Sequence, residues 1–301
     1  MKMLLSGGTG LIGTKLAEKW LHEGHEVIIL TRSVPAVDHS SRTRQSIYLT
    51  WSQLAQMPAI VEDVDVVVNL AGETINQRWN DKTKDRIRKS RLEPTRQIAD
   101  WASKRNGVLP LLISASGSSV YGSSDRDTFD EQSPPAGQDF LSDVVRQWEA
   151  AADQVPAQRT VKLRIAPVLS TEGGAFQKIL LPYRLGFGGR IGSGQQPFSW
   201  IHIDDIVRLI NFIVHDKTLS GVVNASAPES ITNDEFGRKI GFIYQKPHWL
   251  PVPAAALKLL LGEMSILVLE GQHVFPAKAL QHGFQFRYPS VEQALLALKE
   301  R

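Results

Sequence analysis

Met3-Leu4-Leu5-Ser6-Gly7-Gly8-Thr9-Gly10-Leu11-Ile12-Gly13 decides how the rest of the chain is read. A short apolar run breaks into glycines that satisfy both GxGxxG and GxxGxxG spacing. Ile12, Leu16 and Trp20 then recur every fourth residue, with Lys15, Glu18, Lys19 and His22 off that face. This is the period of an amphipathic helix, and Gly24 stops it. Glu26-Val27-Ile28-Ile29-Leu30 follows, apolar and rich in β-branched residues. Strand, glycine turn, helix and strand make a βαβ unit, whose strands must run parallel.

The alternation continues outward. Buried-strand patterns recur at 64–71, 111–115, 161–165 and 221–225, with helical patterns between them, notably 81–104 and 140–152. The predicted fold is α/β, a doubly wound parallel sheet of the Rossmann kind. Two stretches depart from the alternation, the glycine-rich 173–197 and the proline-punctuated 247–301. They predict a smaller C-terminal lobe, so that 1–169 plus 200–228 form the nucleotide domain and 170–199 plus 229–301 the substrate side.

Composition narrows the chemistry. The 301 residues are 42% hydrophobic and 22% charged, enough for a full α/β core. There is no cysteine, which excludes disulfides, thiolate metal sites and cysteine nucleophiles. Eight histidines form no His-Glu-x-x-His pair, and no metal is expected. The net charge of +3 arises from 34 basic against 31 acidic residues, a near balance that argues against nucleic acid as partner. No stretch approaches a membrane span and the N-terminus breaks into glycine too early for a signal peptide, so a cytoplasmic protein with no membrane partner is expected.

A glycine turn of this kind serves where the backbone bends sharply and must approach a pyrophosphate, which the following helix N-terminus faces. Gly7, Thr9, Gly10, Leu11, Ile12 and Gly13 are therefore candidates for dinucleotide binding; the alternative is a turn that binds nothing. The second strand ends in Thr31-Arg32-Ser33, where an NAD site would carry a carboxylate. Arginine can grip a 2′-phosphate that a carboxylate would repel, so NADP(H) is the expected cofactor. Otherwise Arg32 is a solvated arginine at a strand end.

The glycine turn, Asn69-Leu70-Ala71-Gly72, the segment from Ser114 to Tyr121-Gly122, and Trp200-Ile201-His202-Ile203-Asp204-Asp205 resemble an extended short-chain dehydrogenase/reductase of the NAD-dependent epimerase/dehydratase type. Arg78-Trp79, Ser90-Arg91, Arg146-Gln147-Trp148-Glu149, Leu180-Leu181-Pro182, Gly262-Glu263 and Leu269-Glu270-Gly271-Gln272 are similar, more narrowly, to its atypical "epimerase family protein" subgroup. That subgroup carries a C-terminal domain of unknown function. The resemblance implies that Thr9 to Ile12 hold the pyrophosphate and that Thr31 and Arg32 hold the adenosine phosphate. It also implies that Leu70, Ala71 and Gly72 line the adenine-side ribose, that Val168 lies at the nicotinamide end, and that Arg91 contacts the cofactor.

One part of the superfamily pattern is missing. Its usual proton relay is Tyr-x-x-x-Lys, the lysine lowering the tyrosine pKa. Tyr48, Tyr121, Tyr183, Tyr244 and Tyr288 are followed four residues later by Ser52, Asp125, Phe187, His248 and Glu292. With Glu149 aligned to the acidic residue that follows the family lysine, Leu141 and Val145 stand where tyrosine and lysine would. Tyr121 is the candidate replacement acid, with Ser116 or Ser119 orienting a substrate oxygen; otherwise Tyr121 packs its loop and the serines are backbone caps. Arg146 could supply charge but not a base.

Epimerase-like or reductase-like action on a small molecule, by superfamily default a nucleotide sugar, is the leading expectation. Its rival is an NADPH-binding sensor or regulatory protein with a protein partner. Arg78 to Arg91 holds seven basic residues, a cationic wall or a solvated helix face. Arg184 and Arg190 flank a glycine loop, where they read as a grip on an anionic substrate group or as solvated surface residues.

Overall fold

The computed structural model describes residues 1–34, 46–57 and 59–300. Seven strands build the central sheet: β1 (Lys2–Ser6), β2 (Glu26–Thr31), β3 (Ile47–Thr50), β4 (Val66–Asn69), β5 (Leu109–Gly117), β6 (Ala157–Ile165) and β7 (Gly221–Ala225). Their spatial order is β7-β6-β5-β4-β1-β2-β3, every pair parallel. The winding reverses between β1 and β4, which opens a crevice at the carboxyl ends of those strands. The doubly wound sheet expected from the alternation is the observed one. β3 alone has no counterpart in the sequence reading, because Ile47-Tyr48-Leu49-Thr50 is a four-residue edge strand with only Leu49 buried.

Helices cover both faces. Helix α1 (Leu11–His22) packs Leu16 and Trp20 onto one face, followed in the chain by α2 (Asp81–Ser103) and α3 (Phe140–Ala152), which bury Ile98, Trp101 and Ala152 on the other. Helix α4 (Ala175–Arg184) belongs to the lobe. Helix α5 (Ile203–His215) returns to the first face with Ile206, Ile210 and Ile213, and Trp20 Nε1 donates to Asn211 Oδ1 at 2.9 Å to tie α1 to it. Asp205, in the Trp200-to-Asp205 segment, is fully buried and accepts the Arg287 and Tyr288 amides at 2.8 and 2.9 Å. That segment thereby clips the C-terminal region to the sheet domain.

A second core lies beside the sheet. Helices α4, α6 (Asn233–Tyr244) and, later in the chain, Val291–Lys299 bury Phe176, Leu180, Phe236, Ile240 and Leu295 against one another together with Leu169 and Trp200. The C-terminal stretch is shared between the two cores, since Ala279 and Phe284 pack with the sheet and Val274 with Tyr121. Between α6 and the final helix, α7 (Ala254–Leu261) buries none of its residues.

Candidate functional site

The glycine turn sits at the winding reversal. Gly7 has φ +74°, and a Cβ there would lie 2.6 Å from the Leu70 carbonyl oxygen and 2.9 Å from the Ala71 nitrogen. The turn and the Leu70-Ala71-Gly72 segment therefore lie against each other, as only glycine permits at this φ. A Cβ at Gly13 would come within 2.3 Å of the Gly7 carbonyl oxygen, so α1 starts as close to the turn as backbone allows. Gly10 is the N-cap of α1, no side chain caps the helix, and its first turn holds no acid. Its leading amides and positive dipole end thus face the crevice without an internal anion, which suits a pyrophosphate.

Arg32 follows β2 directly, is exposed, and makes no ion pair among the described residues. A carboxylate does approach it: Glu73, beyond β4, is engaged elsewhere, accepting from Gln77 Nε2 at 2.9 Å and Arg86 Nε at 3.2 Å. The Gln77 hydrogen bond and the Arg86 charge hold the Glu73 carboxyl below the ordinary range, so it is ionised but occupied. Arg86 also donates to Gln77 Oε1 at 2.8 Å, closing the triangle. The cation at the end of β2 remains available for an anion.

Arg91 stands behind this surface. It donates to the Ile87 and Glu73 carbonyls at 2.9 and 3.1 Å, lies 5.3 Å over the Trp148 ring, and approaches within 3.2 Å of where a Gly72 Cβ would be. Burial pushes its pKa down to about 10, which still leaves it cationic at neutral pH. On the far side, Gly174 would place a Cβ 3.3 Å from Leu11 Cδ2 and 3.6 Å from the Val168 carbonyl oxygen. Lys15 and Glu172 form a 2.7 Å ion pair that holds this loop to α1. Two features escaped the sequence reading, the Glu73–Gln77–Arg86 triangle and the Gly173-Gly174 loop over Leu11. A Gly-Gly pair in a glycine-rich stretch was the only local sign of the second.

The expected acid and its serine are placed differently from the cofactor residues. Tyr121 is 1% exposed, stacks on Phe129 at 5.4 Å, and donates its hydroxyl to Asn224 Oδ1 at 2.8 Å. Burial pushes its pKa up, against the pull of Arg164, whose guanidinium lies 4.7 Å over the ring. Ser116 donates to Glu149 Oε1 at 2.6 Å, and Glu149 takes a two-point ion pair from Arg164 at 2.8 and 2.9 Å. Burial opposes ionisation of Glu149, but the Arg164 and Ser116 hydrogen bonds hold its carboxyl below the usual value. Ser116, Arg164 and Asn224 sit side by side on β5, β6 and β7. In this structure Tyr121 and Ser116 are the packing and bonding residues of an internal network.

Leu141 and Val145, the residues expected at the tyrosine and lysine positions, are both buried; Val145 packs with Val120 and Tyr121, and Leu141 with Trp79 and Ile87. A Cβ on Gly117, at the end of β5, would lie 3.1 Å from Val145 and 3.5 Å from Ser119 Oγ. Ser119 is half-buried, and its hydroxyl makes no hydrogen bond among the described residues. Arg146 is spent on the Gly137 carbonyl. The cationic run of α2 is largely neutralised: Lys84 pairs with Glu263, Arg86 with Glu73, Arg88 with Asp143 and Lys89 with Asp85.

Comparison with known proteins agrees with this layout. Residues 3–139 match the family model described as the NAD dependent epimerase/dehydratase family, and 252–298 match a domain of unknown function, DUF1731. The chain is 38% identical to "Epimerase family protein YfhF" of Bacillus subtilis (strain 168), over 99% of this chain and 98% of that protein. It is 36% identical to "Epimerase family protein SDR39U1 homolog, chloroplastic" of Arabidopsis thaliana, covering 87% of it. Among solved structures, human epimerase family protein SDR39U1 (isoform 2) with NADPH superposes with a TM-score of 0.90 at 36% identity, over 100% of this chain and 99% of that one.

Proposed function

This chain belongs to the NAD dependent epimerase/dehydratase family, in its epimerase family protein branch, and from that premise we propose that it binds NADP(H) and serves reductase-like action on a small molecule. The observation that carries the cofactor is the cradle: an uncapped helix N-terminus behind Gly7 to Gly13, with Arg32, which makes no ion pair among the described residues, one strand away. Leu11, Ile12 and Gly13 would offer backbone amides to the pyrophosphate, and Thr31 and Arg32 would hold the adenosine phosphate. Gly7 and Gly13 let the turn, the Leu70-Ala71 backbone and the start of α1 approach more closely than any side chain would allow. Bound there, NADP(H) supplies or accepts hydride at its nicotinamide.

The protein side of the reaction is sparse. Val168 and the loop at Gly173-Gly174 close the cleft beside Leu11, and Ser119 is the hydroxyl free to orient a substrate oxygen. No tyrosine–lysine relay stands on α3, so the proton comes from water or from the substrate itself. This favours reduction of a carbonyl over epimerisation of a nucleotide sugar, which needs a base to remove and return a proton.

The test mixes the protein with stoichiometric NADPH and panels of carbonyl compounds and nucleotide sugars while near-ultraviolet absorbance is followed. Consumption of NADPH that falls about tenfold or more in Ser119→Ala, and persists in Tyr121→Phe, supports the reading. Saturable NADPH binding with no turnover by any compound overturns it in favour of a regulatory NADPH-binding protein. The apolar Leu141 and Val145 are the observation that keeps this second reading in play.

A further inference from the structure

The C-terminal lobe shows an apolar surface that the cofactor cleft does not explain. Leu181 on α4 and Leu185 at its C-cap are 54% and 62% exposed; Phe187 follows at 56%, and Trp249 reaches 61%. These are one patch: Trp249 Nε1 donates to the Gly186 carbonyl at 3.0 Å, and the Trp249 and Leu250 amides both donate to the Gly188 carbonyl. Residues 188–192 run alongside 248–252, through bridges at Gly188–His248 and Ile191–Val252, and so carry the patch into α7. A Cβ at Gly192 would sit 3.8 Å from Ala254 Cβ, at the start of that helix. Helix α7, Ala-Ala-Ala-Leu-Lys-Leu-Leu-Leu, buries nothing, and its Leu259 and Leu260 are 85% and 74% exposed. An eight-residue helix whose single charged residue is Lys258 exposes far more apolar surface than a water-facing helix does.

Charge identifies the partner. The two segments that build this face, 173–203 and 236–262, contain seven lysines and arginines and no aspartate or glutamate. Arg238 and Lys239 are paired with Asp234 and Glu292. The other five, Lys178, Arg184, Arg190, Lys246 and Lys258, are exposed and make no ion pair among the described residues. The nearest following acid, Glu263, is turned onto Lys84 of α2.

We infer that this face docks on the anionic surface of a lipid bilayer, with Trp249, Phe187 and α7 entering the headgroup region and Arg184, Arg190, Lys246 and Lys258 meeting lipid phosphates. Aromatic anchors, a largely apolar helix and a rim of exposed lysines and arginines are the features of a protein that lies on a membrane rather than spans it. No helix among the described residues is long and apolar enough to cross one. A second copy of the chain is the weaker occupant, because an isologous contact would set this unneutralised basic face against itself. Nucleic acid would use the cations but not Leu181, Leu185, Leu259 and Leu260. The inference stands independently of the proposed reaction.

The test is co-sedimentation of the full chain with vesicles of phosphatidylcholine, pure or containing about 30% phosphatidylglycerol, at about 0.1 M salt. Binding to the anionic vesicles at least about tenfold tighter than to the pure ones is expected, weakening at about 0.5 M salt. Leu259→Ser with Leu260→Ser should reduce binding about tenfold, and Lys246→Gln with Lys258→Gln by a similar factor. All four positions are exposed, so the fold is retained, and unchanged NADPH affinity in the same samples verifies it. Equal pelleting with both vesicle types, or no pelleting with either, overturns the inference. So does a concentration-dependent dimer that Leu259→Ser with Leu260→Ser abolishes.

Discussion

Gly13→Ala tests the cofactor cradle at its tightest point. The new Cβ would meet the Gly7 carbonyl oxygen at 2.3 Å and the Gly8 Cα at 2.7 Å, both backbone atoms of the turn. Ordinary contact needs about 3.4 Å, so α1 and the turn must separate by roughly 1 Å, with an overpacking cost of about 1–3 kcal/mol. Alanine's better helix propensity returns about 1 kcal/mol, so stability falls only modestly. Binding falls further, because a 1 Å shift carries amides from about 2.9 Å toward 3.9 Å from phosphate oxygens, outside hydrogen-bond range. Loss of two hydrogen bonds to a charged group, at about 1.5–3 kcal/mol each, weakens binding by roughly 100-fold or more. Titration of NADPH fluorescence measures this, with thermal unfolding on the same sample. Gly10→Ala is the control, since its φ is −86° and its sole close contact is the Gly7 oxygen at 3.3 Å. Should Gly13→Ala bind NADPH within about threefold of the parent, the phosphates are not held at this helix end.

Three further outcomes follow from the geometry. Arg32→Ala should weaken NADPH binding by about 10- to 100-fold and leave NADH unchanged, since only the 2′-phosphate loses its partner; parallel titrations of the two nucleotides decide it. Glu149→Gln strands a buried Arg164 and should cost about 3–5 kcal/mol, read by denaturant unfolding. In the parent, the depressed Glu149 carboxyl stabilises the fold fully above the ordinary carboxylate pKa, and that stability is lost as pH falls through the lowered value. Acid unfolding below the ordinary carboxylate pKa should therefore be flatter in Glu149→Gln than in the parent. Tyr121→Phe leaves Asn224 Oδ1 without its donor and should cost about 1–3 kcal/mol while NADPH affinity stays the same; a large affinity loss would return Tyr121 to the site.

The segments expected to hold the cofactor could be read from the sequence because each of them is local. The glycine spacing, the strand end at Thr31-Arg32 and the Leu70-Ala71-Gly72 turn each lie beside a strand terminus, and parallel pairing brings strand termini together. Tyr121 was harder to read, because a tyrosine after β5 has the same local sequence whether its hydroxyl faces a cleft or a core. Its partner Asn224 lies 103 positions away, on a strand that joins β6 only in the folded sheet. Ser116, on β5, likewise finds Glu149 across 33 positions, and Ser119, in the turn after that strand, keeps a hydroxyl with no hydrogen bond among the described residues.

Periodicity and glycine spacing alone determined the doubly wound parallel sheet, since it depends on alternations a few residues long, and strand order placed its winding reversal beside β1. Tertiary structure decided which polar side chains are consumed and which are free. It turned Glu73 onto Gln77 and Arg86, buried Tyr121 beneath Arg164, and left α7 without a buried residue. Hydrogen bonds and ion pairs are made with whatever the fold brings near, and that neighbourhood is assembled from distant segments.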